Sequence, residues 1–246
     1  MKHKLIPLLL LACAGYMELA NAAIVLDRTR IIYPGGAKSI SVNVINENKV
    51  LPYLAQSWLE DHKQQKISSP LVVLPPLQRV DPLQKSVVRI AAVHGIEGLP
   101  ADRESLFYFN IREIPPKTDK SNVMQIAVQT RIKLFYRPES IVPERGAIWQ
   151  DQVTFKKTAT GMVANNPTPY YIIFSGFAHP KGKEKLVPFK DFNAITLLPK
   201  STQRFSLGEA VSGEFIATYI NDYGGHIALG FKCNDGGLCK ARIENK

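Results

Sequence analysis

The side chains that most often carry out catalysis are widely spaced in this sequence. The histidines stand far apart, at positions 3, 62, 94, 179 and 226, and none belongs to an H-E-x-x-H motif. The phosphate-binding G-x-x-x-x-G-K-[ST] loop and the nucleophile motif G-x-S-x-G are also missing from the sequence. A glycosidase would need a pair of carboxylates, and Asp102 and Glu104 are near neighbours in the sequence that could form one. We therefore expect a protein that is not an enzyme and needs no metal or cofactor.

Cysteine spacing indicates a structural role. Cys13 falls in an N-terminal leader, described next, so Cys233 and Cys239 remain in the processed chain. Two cysteines in an exported protein pair readily, and the intervening Asn-Asp-Gly-Gly-Leu has the composition of a hairpin turn. A redox C-x-x-C motif has two intervening residues instead of five, so a catalytic thiol is the minor alternative. We expect a disulfide that staples a hairpin.

Residues 1–22 have the pattern of a secretory signal. Lys2 and Lys4 precede an apolar run that ends near Ala14, and Ala-Asn-Ala at 20–22 matches an A-x-A cleavage site. The run is too short for a membrane-spanning helix, which needs about 20 apolar residues. Lipidation of Cys13 is a weaker alternative. The sequence predicts an exported protein that begins at Ala23.

The composition is that of an ordinary globular protein. The chain has 246 residues, of which 45% are hydrophobic and 21% charged, which argues against disorder, collagen and coiled coil. A formal net charge of +10 could attract nucleic acid, anionic lipid or acidic proteins. Lysine and arginine are scattered, however, with no run of five. We therefore expect no nucleic-acid partner, and export also disfavours one.

The elements that position these residues read as β-strands. No part of the processed chain shows sustained helical spacing, whereas short runs rich in Val, Ile, Phe, Tyr and Thr recur between turns. The runs in the first half are 24–33, 39–45, 53–60, 71–74, 86–93, 106–114 and 124–137. Seven strands in this length are typical of an immunoglobulin-like sandwich.

A second set of strands follows a lapse in the pattern near residues 138–146. Its runs are 153–157, 170–177, 195–198, 204–207, 215–220, 227–233 and 238–243. We predict an all-β protein of two immunoglobulin-like domains, with residues 23–142 in the first and 143–246 in the second. A single large barrel is the alternative. Residues 182–194 show no pattern that we can assign.

The segment from Val123 to Arg137 has one continuous apolar face. Its even positions from 124 to 136 are apolar or Thr, and the polar side chains stand at odd positions. A strand of this length would span about 45 Å, more than twice the usual length. The face is either all core or partly offered to another chain at a sheet edge.

Several long motifs, in order, resemble the periplasmic chaperones of the chaperone–usher pilus system. The motifs are LDRTR at 26–30, LPYLAQ at 51–56, LPADRESLFYFN at 99–110, IPP at 114–116, IKLFYRP at 132–138, NNPTPY at 165–170 and YINDYGG at 219–225. The resemblance covers most of the processed chain and implies two immunoglobulin-like domains set at an angle, with a cleft between them.

The resemblance also implies roles for particular residues. Arg30 and Lys133 would hold the C-terminal carboxylate of a pilus subunit, and such charge-assisted bonds would fix its register. The apolar side chains inserted into an incomplete subunit would be those of Met124, Ile126 and Val128. The short segment before them, 115–122, is similar to that of the subclass that serves adhesive rod pili.

A further set of residues in the family orients the two domains. Carried over to this sequence, it is a charge cluster of Glu104, Arg137 and Asp222, and we expect a surface cluster worth about 0 to 1 kcal/mol per pair. The partners implied are pilus subunits, in a 1:1 complex, and the outer-membrane usher, in the periplasm. Self-association of the free chain is a further expectation.

Two other classes of protein compete with a chaperone. An exported pilus subunit or adhesin would also be all-β, but it would lack its own final strand and carry a donor peptide at its N-terminus. Here the first domain has its full number of predicted strands. An exported enzyme is the remaining class, and Asp102 and Glu104 lie within a motif that the family resemblance already explains.

Overall fold

The computed structural model describes residues 22–119, 122–159, 161–181, 185–190, 192–207, 211 and 213–242. The predicted leader, apart from Ala22, lies outside these ranges. Nearly all regular structure is β, as predicted. Short 3-10 turns occur at Ile96–Gly98, Glu139–Ile141 and Gln150–Gln152. No helix in the described part of the chain is long and apolar enough to cross a membrane.

The first domain is a sandwich of two sheets. Its strands are β1 (Ile24–Leu26), β2 (Arg30–Pro34), β3 (Ser39–Asn46), β4 (Tyr53–Glu60), β5 (Lys66–Ile67), β6 (Leu71–Leu74), β7 (Leu77–Val80), β8 (Lys85–Ala92), β9 (Ser105–Ile114) and β10 (Gln129–Arg137). One sheet has the order β1-β3-β8-β6, and the other has the order β2-β10-β9-β4-β5 with β7 on β4. Tyr33, Leu59, Ile90 and Phe109 are buried between them.

The predicted first strand, 24–33, is in fact two strands in different sheets. β1 pairs antiparallel with β3, whereas β2 pairs parallel with β10. Ile24 is buried at an even position, but Ile31 and Tyr33 are buried at odd positions. Because side chains alternate along a strand, one straight strand cannot bury both sets, so the chain crosses between the sheets at residues 27–29.

The predicted long strand is also shorter than expected. Regular pairing of β10 begins at Gln129, opposite Arg112 of β9, and residues 123–128 are not in a strand. One further backbone hydrogen bond follows, in which the N–H of Glu113 donates to the carbonyl of Val128 at 3.0 Å. Beyond it β9 runs into Pro115 and Pro116, which have no N–H to donate, so the ladder cannot continue.

The second domain is a larger continuous sheet folded around its own core. Its strands are β11 (Thr154–Thr158), β12 (Gly161–Asn166), β13 (Ile172–Lys181), β14 (Lys185–Pro188), β15 (Ile195–Leu197), β16 (Ser201–Ser206), β17 (Glu214–Ile220), β18 (His226–Cys233) and β19 (Leu238–Ala241). Their order is β14-β13-β17-β18-β19-β11-β12-β16, with β15 on β13. The sequence did not predict β12 or β14, and β14 lies within the segment to which we assigned no pattern.

Aromatic rings fill the second core. Phe231 lies 4.9 Å from Phe155 and 5.2 Å from Phe215, measured between ring centroids. Such edge-to-face and stacked pairs contribute beyond the apolar area that they bury. This cluster spans residues 153–239 and is separate from the first, which spans 24–136. The single-barrel alternative is therefore wrong, while the exact boundary after residue 142 stays a prediction.

The predicted disulfide is present. Cys233 and Cys239 face each other across β18 and β19, with 3.7 Å between their Cα atoms. Cys239 is fully buried beside the second core. The bond therefore closes a β-hairpin at the edge of that core, as the Asn-Asp-Gly-Gly turn indicates.

Replacing both cysteines by serine is expected to lower the free energy of unfolding of the second domain by about 2 kcal/mol or less. The loop is short, so the disulfide removes little entropy from the unfolded chain. Urea unfolding monitored through Trp149, which packs against this core, measures the loss. The subunit binding that the family resemblance implies should be retained, because the hairpin belongs to the second-domain sheet and to neither sheet of the first domain. A folded double mutant that holds no subunit would show that the loop itself takes part.

Candidate functional site

Arg30 and Lys133 are neighbours in the cleft between the domains. Arg30 is the first residue of β2 and lies directly opposite Lys133 of β10 in the parallel pair. Both side chains point away from the first core, because their neighbours are the residues buried in it: Ile31 beside Arg30, and Ile132 and Leu134 on either side of Lys133. The two cations line a cleft of about 470 Å³, whose other wall includes Ile173, Ile220, Gly224 and His226 of the second domain.

Gly224 lets the two domains approach closely at this cleft. Its φ is 85°, which is a left-handed conformation, and a side chain there would overlap the hydroxyl of Thr29. The loop Asn221–Gly225 is held by its own Asn221, whose side-chain oxygen accepts the N–H groups of Tyr223 and Gly225 at 3.0 and 2.8 Å. The motif at 219–225 thus shapes one wall of the cleft.

The two cations have no anionic partner among the described residues. Arg30 donates from Nη1 to the carbonyl of Ile220 at 3.2 Å, and its Nε is buried without a hydrogen-bond partner. Burial lowers the pKa of Lys133, and the nearby Arg30 and Arg131 charges lower it further. Burial also lowers the pKa of Arg30, against the opposing effects of Asp222 and Glu104. Two desolvated cations and an unused donor form a site suited to a carboxylate.

The sheet edge beside these cations is open. β2 covers only residues Lys133–Arg137 of β10, so within the described chain no strand pairs with residues 129–132 on that side. Residues 123–128 continue from this edge without any strand partner. Gln125 Nε2 donates to the carbonyl of Pro116 at 2.8 Å, which ties the segment loosely to the end of β9.

Met124, Ile126 and Val128 are exposed on this segment. The exposed fractions of these residues are 86%, 68% and 38%, respectively. Their even positions continue the series Ile132, Leu134 and Tyr136, which is buried in the first core. The apolar side of β10 therefore extends beyond the domain that it belongs to, with nothing in the described chain covering it.

The predicted charge cluster links the two domains. Arg137 donates from Nε to Glu104 Oε1 at 2.8 Å and binds both carboxylate oxygens of Asp222, at 2.7 and 3.0 Å. Glu104 Oε2 also accepts the N–H of Tyr171, at 2.8 Å, from the second domain. Burial raises the pKa of Glu104, and Arg137 and the Tyr171 N–H, which favour the ionised form, oppose that effect.

We expected a surface cluster, and that expectation is wrong for two of its members. Glu104 and Arg137 are both buried, whereas the Asp222 side chain remains partly exposed. The guanidinium of Arg137 also lies 5.0 Å from the ring of Tyr170 and 5.4 Å from that of Trp149. The cause is the docking of the second domain on β9 and β10, which removes the pair from water and raises the cost of losing a partner.

Sequence reasoning missed other contacts across the interface. Lys200 Nζ lies 2.7 Å from Asp102, and the ring of Phe135 lies 5.5 Å from that of Tyr171. Near the cleft, Arg131 stacks on Tyr108 at 3.9 Å and binds Glu60 at 3.2 Å. Aromatic and basic residues alternate on β9 and β10, and this pattern is the one signal that could have indicated the contact of Arg131 with Tyr108.

Replacing Asp222 by asparagine is expected to lower the free energy of unfolding by about 1–2 kcal/mol. The change keeps the side-chain shape but weakens two charge-assisted hydrogen bonds to Arg137. Urea denaturation measures the loss. Asp81→Asn is the matched control, because Asp81 also binds an arginine, Arg79, at 2.8 Å, but both of these side chains are more than half exposed. The control should change stability by less than about 0.5 kcal/mol, and equal losses would contradict the importance of burial.

Comparison with known proteins gives a consistent result over both domains. The family model described as "Pili and flagellar-assembly chaperone, PapD N-terminal domain" matches residues 23–142. The model "Pili assembly chaperone PapD, C-terminal domain" matches residues 148–230.

Individual relatives cover nearly the whole chain. Chaperone protein PmfD of Proteus mirabilis is 47% identical over 224 residues, which are 91% of this chain and 88% of the relative. Chaperone protein PapD of Escherichia coli is 46% identical over 226 residues, 92% of each protein. The crystal structure of the E. coli chaperone DraB superimposes with a TM-score of 0.70 and 31% identity over 87% of this chain and 96% of that one.

Proposed function

Because the chain belongs to the PapD family of pilus assembly chaperones, we propose that it works by lending a strand to an incomplete pilus subunit and delivering that subunit to the outer-membrane usher. The family is one of chaperones and not of enzymes. In the proposed complex, one chaperone binds one subunit. The lent strand would consist of residues 123–132, which precede the part of β10 that β2 covers.

The observation that carries this proposal is an apolar face beside an open sheet edge. Residues 123–132 offer backbone groups on the side where β2 is absent, and Met124, Ile126 and Val128 are exposed with the same two-residue spacing. A chain that adds a strand to an edge gains main-chain hydrogen bonds, and pockets for alternate side chains provide specificity. A subunit that lacks one strand would have both the free edge and the apolar groove that this segment fits.

The cation pair supports a particular direction for the bound chain. A subunit strand beside residues 123–132 would approach the start of β2, where Arg30 and Lys133 have no anionic partner in the part of the chain that the structure describes. If its C-terminal carboxylate lies between them, the strand runs toward Arg30, in the same direction as β10 and β2. Parallel pairing of β2 with β10 would then simply be continued by the subunit.

The proposed place of action is the periplasm. The leader at 1–22 would direct export, and hydrolysis after Ala22 would release the chain that binds subunits. The match of the N-terminal family model from residue 23 supports this start. Without a subunit, the open edge and its apolar face would be available to a second copy of the chain, which would shield the edge.

Coexpression with subunits tests the proposal directly. The exported chain, purified from the periplasm of a pilus-expressing cell, should carry a β-rich subunit in a 1:1 ratio, as read by native mass spectrometry. Size-exclusion chromatography of the free chain at several concentrations shows whether it associates with itself. Recovery of the chain with no subunit, under conditions in which pili assemble, would overturn the proposal.

A further inference from the structure

A buried carboxylate beside the first residues of the first domain has only backbone N–H groups as hydrogen-bond partners in the described part of the chain. Glu113, on β9, is 5% exposed, and its Oε2 accepts the N–H groups of Ala23 and Ile24 at 2.7 and 2.9 Å. Ala23 is itself 7% exposed. Among the described residues, no lysine or arginine forms an ion pair with Glu113. An ionised carboxylate is costly to bury unless a positive charge accompanies it.

The missing charge would arise at the atom that Glu113 already binds. Ala23 directly follows the A-x-A sequence at 20–22. Hydrolysis of the bond between Ala22 and Ala23 adds one water molecule, leaving a carboxylate on Ala22 and an amine on Ala23. The amine takes up a proton from solvent near neutral pH, because the ordinary pKa of an α-amino group is about 7.7–8.0. The donor 2.7 Å from Glu113 thereby changes from an amide to an ammonium group.

We infer that Glu113 is a built-in binding site for the α-ammonium group of the processed chain. Removal of the leader would convert a buried carboxylate with neutral donors into a buried ion pair. The inference rests on cleavage after Ala22 and is independent of how the protein binds subunits.

The surroundings hold Ala23 in place for this pair. The carbonyl of Ala23 accepts the N–H of Glu47 at 2.8 Å, and Ile24 pairs with Asn46 of β3. The residue is thus fixed on both its amino and its carbonyl side. The first strand would be locked to β3 in one sheet and, through Glu113, to β9 in the other.

Other charged groups on the neighbouring elements do not compete for the site. Glu47 after β3, Lys85 at the start of β8 and Arg112 beside Glu113 are all exposed. Arg112 points to the opposite face of β9, where it binds Gln56. The titration of the α-amino group should therefore report chiefly on Glu113.

The test compares four forms of the full processed chain. Two begin at Ala23 and carry either the native Glu113 or the substitution Glu113→Gln, and two are the same chains with an acetylated α-amino group. The acetyl group keeps an N–H for the hydrogen bond but removes the charge. Urea unfolding at pH 6.5 gives the equilibrium constant for each form, and intact mass confirms the start of the exported chain.

With Glu113 present, acetylation should reduce the folded-to-unfolded ratio at least about tenfold, which corresponds to a rise of about one unit in the α-amino pKa on folding. In the Glu113→Gln chains, acetylation should have little effect or stabilise the protein. The added stability should be complete below the ordinary α-amino pKa and should disappear as the pH rises through the raised value.

NMR titration of the wild-type chain with labelled Ala23 measures the α-amino pKa directly, so the test does not depend on the folding of the Glu113→Gln variant. A value at least about one unit above the ordinary range is expected. An α-amino group that titrates at its ordinary pKa, equal unfolding constants with and without acetylation, or an exported chain that starts elsewhere would each overturn the inference.

Discussion

Replacing Ile126 by aspartate is expected to weaken the binding of a pilus subunit at least about a thousandfold while leaving the free protein nearly as stable. Ile126 is 68% exposed in the free chain, so a charge there remains in water. In the proposed complex, the same side chain enters an apolar groove of the subunit. An unpaired carboxylate buried in that groove costs several kcal/mol, and about 4 kcal/mol corresponds to a thousandfold loss of affinity.

Ala127→Asp is the matched control for this variant. Ala127 is the next residue and is also exposed. In the proposed lent strand its side chain would face the side opposite to that of Ile126. The control adds the same charge to the same segment and should reduce affinity far less. Thermal unfolding and binding to a purified subunit are measured for both. Severe destabilisation of free Ile126→Asp would show that this face is ordinary core, and equal affinities of the two variants would refute the donor assignment.

Lys133→Met is the second variant with a large expected effect. It should weaken subunit binding by about 2–5 kcal/mol, because the subunit carboxylate would lose one of its two cations in a desolvated cleft. The free protein should be at least as stable as the wild type, since burial and the neighbouring Arg30 charge already disfavour the Lys133 ammonium. Arg30→Met should behave similarly in binding.

A double-mutant cycle separates the carboxylate from other contacts. Binding of a peptide with the sequence of the subunit's C-terminal strand is measured with a free or an amidated C-terminus, to the wild type and to Lys133→Met. If Lys133 holds the carboxylate, amidation and mutation weaken binding by less together than the sum of their separate effects. Purely additive losses would show that Lys133 acts elsewhere.

The sequence predicted most of the strands because their alternation and turn residues are local signals. The division of residues 24–34 into β1 and β2 was not predicted. It corresponds to a change of the buried positions from even to odd, which becomes visible only once the buried residues are known. The start of β10 depends on Pro115 and Pro116, which follow the opposite strand β9. Such a pairing is a tertiary property that no single run of residues reveals.

The site residues show the same division. Cations and carboxylates scattered along a chain have no spacing pattern of their own. The family resemblance therefore supplied the predicted charged site residues, which are Arg30, Lys133, Glu104, Arg137 and Asp222. The burial of Arg137 follows from the docking of two domains. The contact of Glu113 with Ala23 joins residues that are 90 positions apart, so sequence periodicity could not indicate it.

The point at which β2 begins has a consequence for which subunits could be accepted. If the last residue of a subunit strand is held at Arg30, the register of the whole strand is fixed by its distance in residues from that carboxylate. Because alternate side chains face opposite sides, adding one residue to the subunit would turn its apolar face toward water and its polar face toward Met124, Ile126 and Val128. Adding two residues would return the apolar side chains to the correct face, but each subunit pocket would be shifted by two residues along residues 123–132. Selectivity would then depend on whether the distance from the carboxylate is odd or even as much as on the identity of any side chain.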